Sequence, residues 1–176
     1  MMKSITSSKY IALLFALFLL AGCGFHLRGI LKLPPQLDST YIQSDAPNSA
    51  FTQILQRLLI ANHINVVSSP DQATATLTLS DLTTTNALTS LSGGAEAGQY
   101  TLYGSVQFSV TDNRTGKLLI PPTMVQNTRT FDSNATQALS AQAKINDLMS
   151  TLQNEMAQNI MNQLAKIRAP TNPTSS

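Results

Sequence analysis

Apolar residues alternate with polar ones, or β-branched residues cluster, along several stretches of the chain, a pattern typical of strands with one buried face. The stretches are 39–44, 64–67, 73–79, 100–110 and 118–131. The last one follows turn-forming residues at 112–117 and contains Pro121 and Pro122, which have no N–H for a strand ladder. The two prolines therefore predict a break or a bulge in that strand.

Two other stretches repeat their apolar residues every three to four positions, which is the spacing of amphipathic helices. The first begins after turn residues 45–49, which supply an N-cap, and ends near Asn62. The second runs from about 134 to 167. Its apolar stripe is Ile145, Met149, Leu152, Met156, Ile160, Leu164 and Ile167. We expect this stripe to pack on the sheet.

The order of these elements predicts an α+β fold. We expect a two-layer sandwich, in which one mostly antiparallel or mixed sheet of about four strands carries two helices on one face. The threonine-rich opposite face would be left bare. Residues 82–99 are rich in Thr, Ser, Gly and Ala and nearly free of charge. Their composition predicts a long, mobile hairpin tip that is suited to insertion into a polar partner.

The first 30 residues carry the features of an exported protein. Lys3 and Lys9 form a short positive region at the start of the chain. The apolar run at 11–20 that follows is typical of a signal peptide and is too short to span a bilayer. We expect residues 1–22 to be a signal peptide. The remainder is expected to form a single domain at 23–168 that starts with a lipid tether at 23–38, followed by a disordered tail at 169–176.

Leu20-Ala21-Gly22-Cys23 resembles the lipobox of bacterial lipoproteins, and Cys23 is the only cysteine in the chain. Lipidation of Cys23 is expected, because only a nucleophilic sulfur can form the thioether to diacylglycerol. This group and an N-acyl chain would anchor the protein, and we expect no other cofactor. Gly24 stands where Asp would favour retention in the inner membrane. We therefore expect an outer-membrane protein anchored on the periplasmic side.

Charged residues are scarce, at 11% of the chain. Lys and Arg number 11 and Asp and Glu 9, so removal of Lys3 and Lys9 with the signal brings the mature chain close to neutrality. A nucleic-acid partner is therefore not expected. The histidines, His26 and His63, belong to no pattern that suggests a catalytic site or a metal site. We expect a protein that is not an enzyme and that has no metal ligands.

The residues that follow the lipobox form a recognisable string, Cys-Gly-Phe-His-Leu-Arg-Gly at 23–29. This string resembles the mature N terminus of the LptE (RlpB) family of LPS-assembly lipoproteins. The motif positions are Phe25, His26, Leu27 and Arg28. A second stretch, Arg129-Thr130-Phe131 followed by Ala138-Leu139, is also similar to the family. The resemblance implies the two-layer fold expected above.

The same resemblance implies a function. The chain would bind the LptD outer-membrane β-barrel at 1:1, plug it, and assist its assembly and the insertion of lipopolysaccharide into the outer leaflet. Arg129 and Lys144 are the candidate lipopolysaccharide contacts, whereas Gly93, Gly94 and Ala141 stand where some members carry basic residues. The alternative is a stand-alone periplasmic lipid- or glycan-binding lipoprotein. Co-purification with a barrel separates the two hypotheses.

Overall fold

A computed structural model describes residue 31 and residues 33–91, 97–134 and 138–167. The predicted signal peptide, the tail at 169–176 and the motif residues Cys23, Gly24, Phe25, His26, Leu27 and Arg28 lie outside the described residues. The strands are β1 (Ser39–Ser44), β2 (Asn65–Val67), β3 (Ala75–Leu91), β4 (Ala97–Asp112) and β5 (Leu118–Asn134). The helices are α1 (Ala50–Ala61) and α2 (Ala138–Leu164).

The strands form one mixed sheet with the order β2-β1-β3-β4-β5. β1 is parallel to β2 and β3, while β4 pairs with β3 and β5 in antiparallel ladders. The predicted α+β class is confirmed, with five strands rather than about four. The short stretch predicted at 64–67 forms β2, which lies beside β1 because α1 carries the chain back to the same end of the sheet.

Side chains fix both ends of α1. Ser49 Oγ accepts a hydrogen bond from the Thr52 amide at 3.1 Å, which satisfies one of the free N–H groups at the helix start. At the other end Asn62 Nδ2 donates to the Leu58 carbonyl at 2.8 Å, and Asn62 Oδ1 accepts from the Leu31 amide at 2.9 Å. His63 follows with a φ of 64°, the left-handed conformation that ends many helices.

The helix α2 packs along the sheet through the predicted stripe. Leu152, Met156 and Ile160 are fully buried, and Leu164 is 1% exposed. Ile145, Met149 and Ile167 are partly buried against the same core. The helix comes unusually close to β4 at Gly104, where an added Cβ would lie 2.2 Å from Leu152 Cδ2 and 2.6 Å from Met156 Sδ. Glycine at this position therefore allows the two layers to meet.

A hairpin is present at 82–99 as predicted, but its described residues, 82–91 and 97–99, form paired strands rather than a long loop. β3 continues to Leu91 and β4 begins at Ala97, and the two pair almost to their ends, with Leu91 opposite Gly98. The composition was misleading because threonine forms strands well even where no apolar alternation marks them. A bulge after Ser80, where Asp81 has a φ of 54°, interrupts the alternation at the start of this extension.

Two further predictions concern the bulge in β5 and the end of the lipid tether. The bulge predicted at Pro121 and Pro122 is confirmed, because Thr123 pairs with Phe108 whereas Ile120 pairs with Val110. The lipid tether predicted to reach residue 38 is shorter than expected. Pro35–Leu37 forms a 3-10 turn in which Leu37 is only 1% exposed, so this end of the tether belongs to the hydrophobic core.

Candidate functional site

The strand register divides the side chains of the sheet between two faces. One face carries buried apolar residues such as Leu77, Val106 and Phe108, which lie against the helices. The other face, which we call the helix-free face, carries the alternate residues. Its members on the four longer strands include Tyr41, Gln43, Thr76, Thr78, Ser80, Thr83, Thr85, Gln99, Thr101, Tyr103, Ser105, Gln107, Ser109, Thr111, Met124, Gln126, Thr128, Thr130 and Asp132.

Hydroxyl and carboxamide groups dominate the helix-free face, and Asp132 is the one ionisable carboxylate in that set. Two large side chains stand out from it, because Tyr103 is 45% exposed and Met124 is 53% exposed. Thr101 is its buried member, at 5%. A surface with this composition can hydrogen-bond to a partner in many places without burying a charge that needs a counter-ion.

Hydrogen bonds between neighbouring strands hold parts of this face in place. Ser80 Oγ donates to Gln107 Oε1 at 3.4 Å, and Gln99 Nε2 donates to Asp132 Oδ1 at 3.3 Å. Because these bonds pair side chains across adjacent strands, they fix the positions of the polar groups on the rigid ladder. The face therefore presents an ordered array of donors and acceptors.

Arg129 lies on the other face of β5, where it reaches across to α2. Its guanidinium forms a salt bridge with the Glu155 carboxylate, in which Nη2 donates to Oε1 and Nε donates to Oε2 at 3.2 Å. Asn127 Nδ2 also donates to Glu155 Oε2 at 3.1 Å, and Asn159 Nδ2 donates to Asn127 Oδ1 at 3.1 Å. The candidate lipopolysaccharide contact Arg129 is thus part of a polar network between helix and sheet, which sequence analysis missed.

Lys144, the second candidate contact, is exposed on α2 and lies 3.8 Å from an Asp147 carboxylate oxygen. Glu155 lies eleven residues after Lys144 on the helix, which is about 16.5 Å along the helix axis at 1.5 Å per residue. The structure therefore does not bring Arg129 and Lys144 together into one cationic cluster. A network with Glu155 could not be foreseen, because nothing in the sequence aligns a helix residue with a strand residue.

Two other kinds of feature are absent from the residues that the structure describes. Over that part of the chain, no group of three or more His, Cys, Asp or Glu side chains is arranged to hold a metal ion. No helix among the same residues has the length and apolar character to cross a membrane.

The described residues define a two-layer α+β protein whose sheet leaves one polar face uncovered. Solved structures with this fold include lipoprotein B from Nitrosomonas europaea, which has 23% identity over 81% of this chain and 90% of that chain, with a TM-score of 0.67. The rare lipoprotein B from Shewanella oneidensis has 19% identity over 72% of this chain and 93% of that chain, with a TM-score of 0.62.

Sequence comparison identifies the family. The family model of LptE, described as lipopolysaccharide-assembly, matches residues 37–164. The LPS-assembly lipoprotein LptE of Yersinia enterocolitica is 26% identical over 160 residues, which cover 88% of this chain and 73% of that relative. The chain belongs to the LptE family, so the predicted resemblance is confirmed. Membership implies a non-enzymatic, membrane-associated lipoprotein with a role in lipopolysaccharide transport.

Proposed function

We propose that this chain is an outer-membrane lipoprotein that binds and plugs the LptD β-barrel, at 1:1, and assists its assembly and the insertion of lipopolysaccharide into the outer leaflet. The helix-free face is the observation that carries this proposal. Among the described residues, the helices cover one side of the strand ladder and leave the other side as a broad surface for a partner, and its groups are hydroxyls and carboxamides.

The chemistry of that face fits the wall of a barrel lumen. Lumen-facing side chains of outer-membrane barrels are polar, so a plug must exchange hydrogen bonds with water for hydrogen bonds with the wall. Neutral hydroxyls and amides make this exchange at little cost, whereas each buried charge would need its own partner. Tyr103 supplies a large contact area together with a phenolic hydroxyl, a combination that is enriched in protein interfaces.

Lipidation of Cys23 would place the protein at the membrane that holds the barrel. We propose that the diacylglycerol on the Cys23 sulfur and the N-acyl chain anchor it on the periplasmic side of the outer membrane, with Gly24 permitting export to that membrane. Phe25, His26, Leu27 and Arg28 follow Cys23 and Gly24 directly in the sequence. Replacement Cys23→Ala is expected to leave an uncleaved precursor that incorporates no palmitate, which metabolic labelling measures. Normal processing of that variant would contradict the lipid anchor.

Arg129 and Lys144 remain our candidate contacts for lipid A phosphates. Each is engaged by a carboxylate of the same chain, Glu155 and Asp147 respectively. A phosphate group would have to share the cation with that carboxylate or displace it. We therefore expect each contact to contribute less than a free cation would.

A pull-down from detergent-solubilised outer membrane tests the barrel partnership. Tyr103→Asp together with Thr128→Asp places two charges at paired positions on the helix-free face. We expect this variant to retain less than a tenth of the LptD captured by the native chain, because the charges would be buried against the wall. The matched control, Gln142→Glu with Asn154→Asp on the exposed side of α2, is expected to retain LptD.

The same pull-down distinguishes the barrel partnership from the alternative function. A stand-alone lipid- or glycan-binding lipoprotein would be recovered without a barrel and with its ligand bound. Recovery of the native chain as a monomer with bound lipid would contradict our proposal. Equal capture of LptD by the two charged variants would place the barrel interface away from the helix-free face.

A further inference from the structure

A groove of about 620 Å³ runs between the start of β5 and the last turns of α2. Ile120 and Val125 form part of its apolar lining, and Asn159, Asn162 and Gln163 contribute carboxamides from the helix. Met124 and Gln126 line the same groove while belonging to the helix-free face. The groove is therefore continuous with the surface that carries the proposed function.

The β5 strand is an edge of the sheet. Among the described strands, β4 alone pairs with it. In an antiparallel ladder alternate residues turn their N–H and C=O groups away from the partner strand, so β5 presents such groups along its free side, which meets the groove near Met124. Pro121 and Pro122 have no N–H, but from Thr123 to Asn134 the strand contains no further proline. This stretch offers the backbone pattern that another strand recognises.

The side chains around the edge suit an extended peptide. A carboxamide has both a donor and an acceptor, as a peptide group has, so Asn162 and Gln163 can bind a main chain without regard to its sequence. Ile120 and Val125 can accept the apolar side chains that an extended strand directs to one side. Lys166 completes the lining, and no carboxylate of the described residues lies within ion-pair distance of it.

We propose that this groove binds an extended segment of the barrel partner, which adds to β5 as a sixth strand. The segment has apolar side chains at alternate positions that rest on Ile120 and Val125, and an acidic residue at Lys166. This inference rests on the proposed function, because the occupant is a segment of the same partner that contacts the helix-free face. Met124 and Gln126 connect the two surfaces, so one partner engages both.

Site-specific photocrosslinking in cells tests the groove. A photoreactive benzoylphenylalanine is placed at Asn162, which is exposed in the groove, at Tyr103 on the helix-free face, and at Asn154 on the exposed side of α2. We expect crosslinks to LptD from Asn162 and Tyr103 but not from Asn154. Mass spectrometry of the Asn162 product is expected to identify a segment with alternating apolar residues and an acidic residue.

A charge reversal gives a second measurement. Lys166→Glu in the Asn162 crosslinking chain is expected to lower the yield of the LptD product at least fivefold, because it places like charges together. Arg57→Glu, a charge reversal on α1 outside the groove, is expected to leave that yield unchanged. Since Lys166 and Arg57 are both exposed, neither change is expected to prevent folding.

The outcomes separate the groove from the proposed function. LptD crosslinks from Tyr103 without any from Asn162 would overturn the groove and leave the barrel partnership intact. Absence of LptD crosslinks at both positions would overturn both. A crosslink from Asn162 to residues 168–176 of the same chain would also overturn the proposal, since the chain continues from Ile167 at the groove and its own tail would then be the occupant. A crosslink to a second copy would overturn it likewise.

Discussion

The two faces of the sheet have the same backbone ladder and opposite chemistry. Along β3 and β4, Leu79 and Phe108 are a register pair on the helix-covered face, and both are at most 2% exposed. Their neighbours Thr78 and Ser109 are also a register pair, yet they lie on the helix-free face and are only partly buried. Because side chains alternate along a strand, one ladder can supply the core on one side and a recognition surface on the other.

This difference predicts where substitutions act. Burial of a large apolar side chain contributes about 1.5–3 kcal/mol, so the helix-covered face holds most of the stability. The threonines of the helix-free face contribute mainly through their strand propensity, which spans only about 1 kcal/mol. Substitutions on the covered face should therefore mainly lower the stability of the fold. Substitutions on the helix-free face should mainly weaken binding of the partner.

Leu152→Asp is the strongest test of the covered face. Leu152 is fully buried, and Asp at this position loses the burial and leaves a charge without a partner. We expect a loss of about 4 kcal/mol or more, which is a large part of the stability of an ordinary domain. The control Asn154→Asp, exposed on the same helix, is expected to change stability by about 0.5 kcal/mol or less. Denaturant unfolding measures both, and similar midpoints for the two variants would contradict burial of the stripe.

Gly104→Val tests the close approach of the two layers. An added side chain would overlap Leu152 and Met156, which are themselves fully buried and have little room to move. Overpacking of this kind costs about 1–3 kcal/mol. The adjacent Ser105→Val puts the same side chain on the helix-free face, where neither α1 nor α2 packs, and we expect no loss of stability there. A thermal melt in which both variants match the native chain would show that α2 does not rest on Gly104.

The sequence predicted those parts of the fold in which the pattern is periodic. The α2 stripe and β4 were predicted because their apolar residues repeat at the helical and strand periods over many residues. The β3–β4 extension beyond Ser80 was not predicted, because the bulge at Asp81 shifts the alternation and the following threonines and Asn86 give no apolar face. Pairing with a partner strand decides such a segment, and pairing is not visible in composition.

The candidate site likewise has a part that the sequence predicted and a part that it did not. The threonine-rich face was predicted, because it is the complement of the apolar alternation. The pairing of Arg129 with Glu155 and the groove beside Asn162 were not, because each joins a strand to a distant part of a helix. Such contacts depend on the angle and offset between layers, which no local pattern encodes.

Removal of hydroxyls from the helix-free face tests whether these groups serve binding rather than folding. Thr78→Val with Thr128→Val keeps side-chain shape and strand propensity but deletes two hydroxyl groups. We expect unfolding free energy to change by about 0.5 kcal/mol or less, and LptD capture to fall several-fold as wall groups lose hydrogen-bond partners. The control Thr151→Val removes a hydroxyl that bonds within α2 and is expected to preserve capture. Loss of stability without loss of capture would reverse the roles assigned to the two faces.

The smallest effect is expected at the Arg129–Glu155 pair, where the covered face reaches the sheet edge. Both side chains are partly exposed, at 44% and 33%, so solvent screens their attraction. A double-mutant cycle with Arg129→Gln and Glu155→Gln is expected to give a coupling of at most about 1 kcal/mol. The two single variants have opposite consequences for lipopolysaccharide if Arg129 contacts its phosphates. Glu155→Gln frees the guanidinium and should strengthen binding, whereas Arg129→Gln should weaken it. Equal lipopolysaccharide binding by both variants would show that Arg129 only links α2 to the sheet and does not contact lipopolysaccharide.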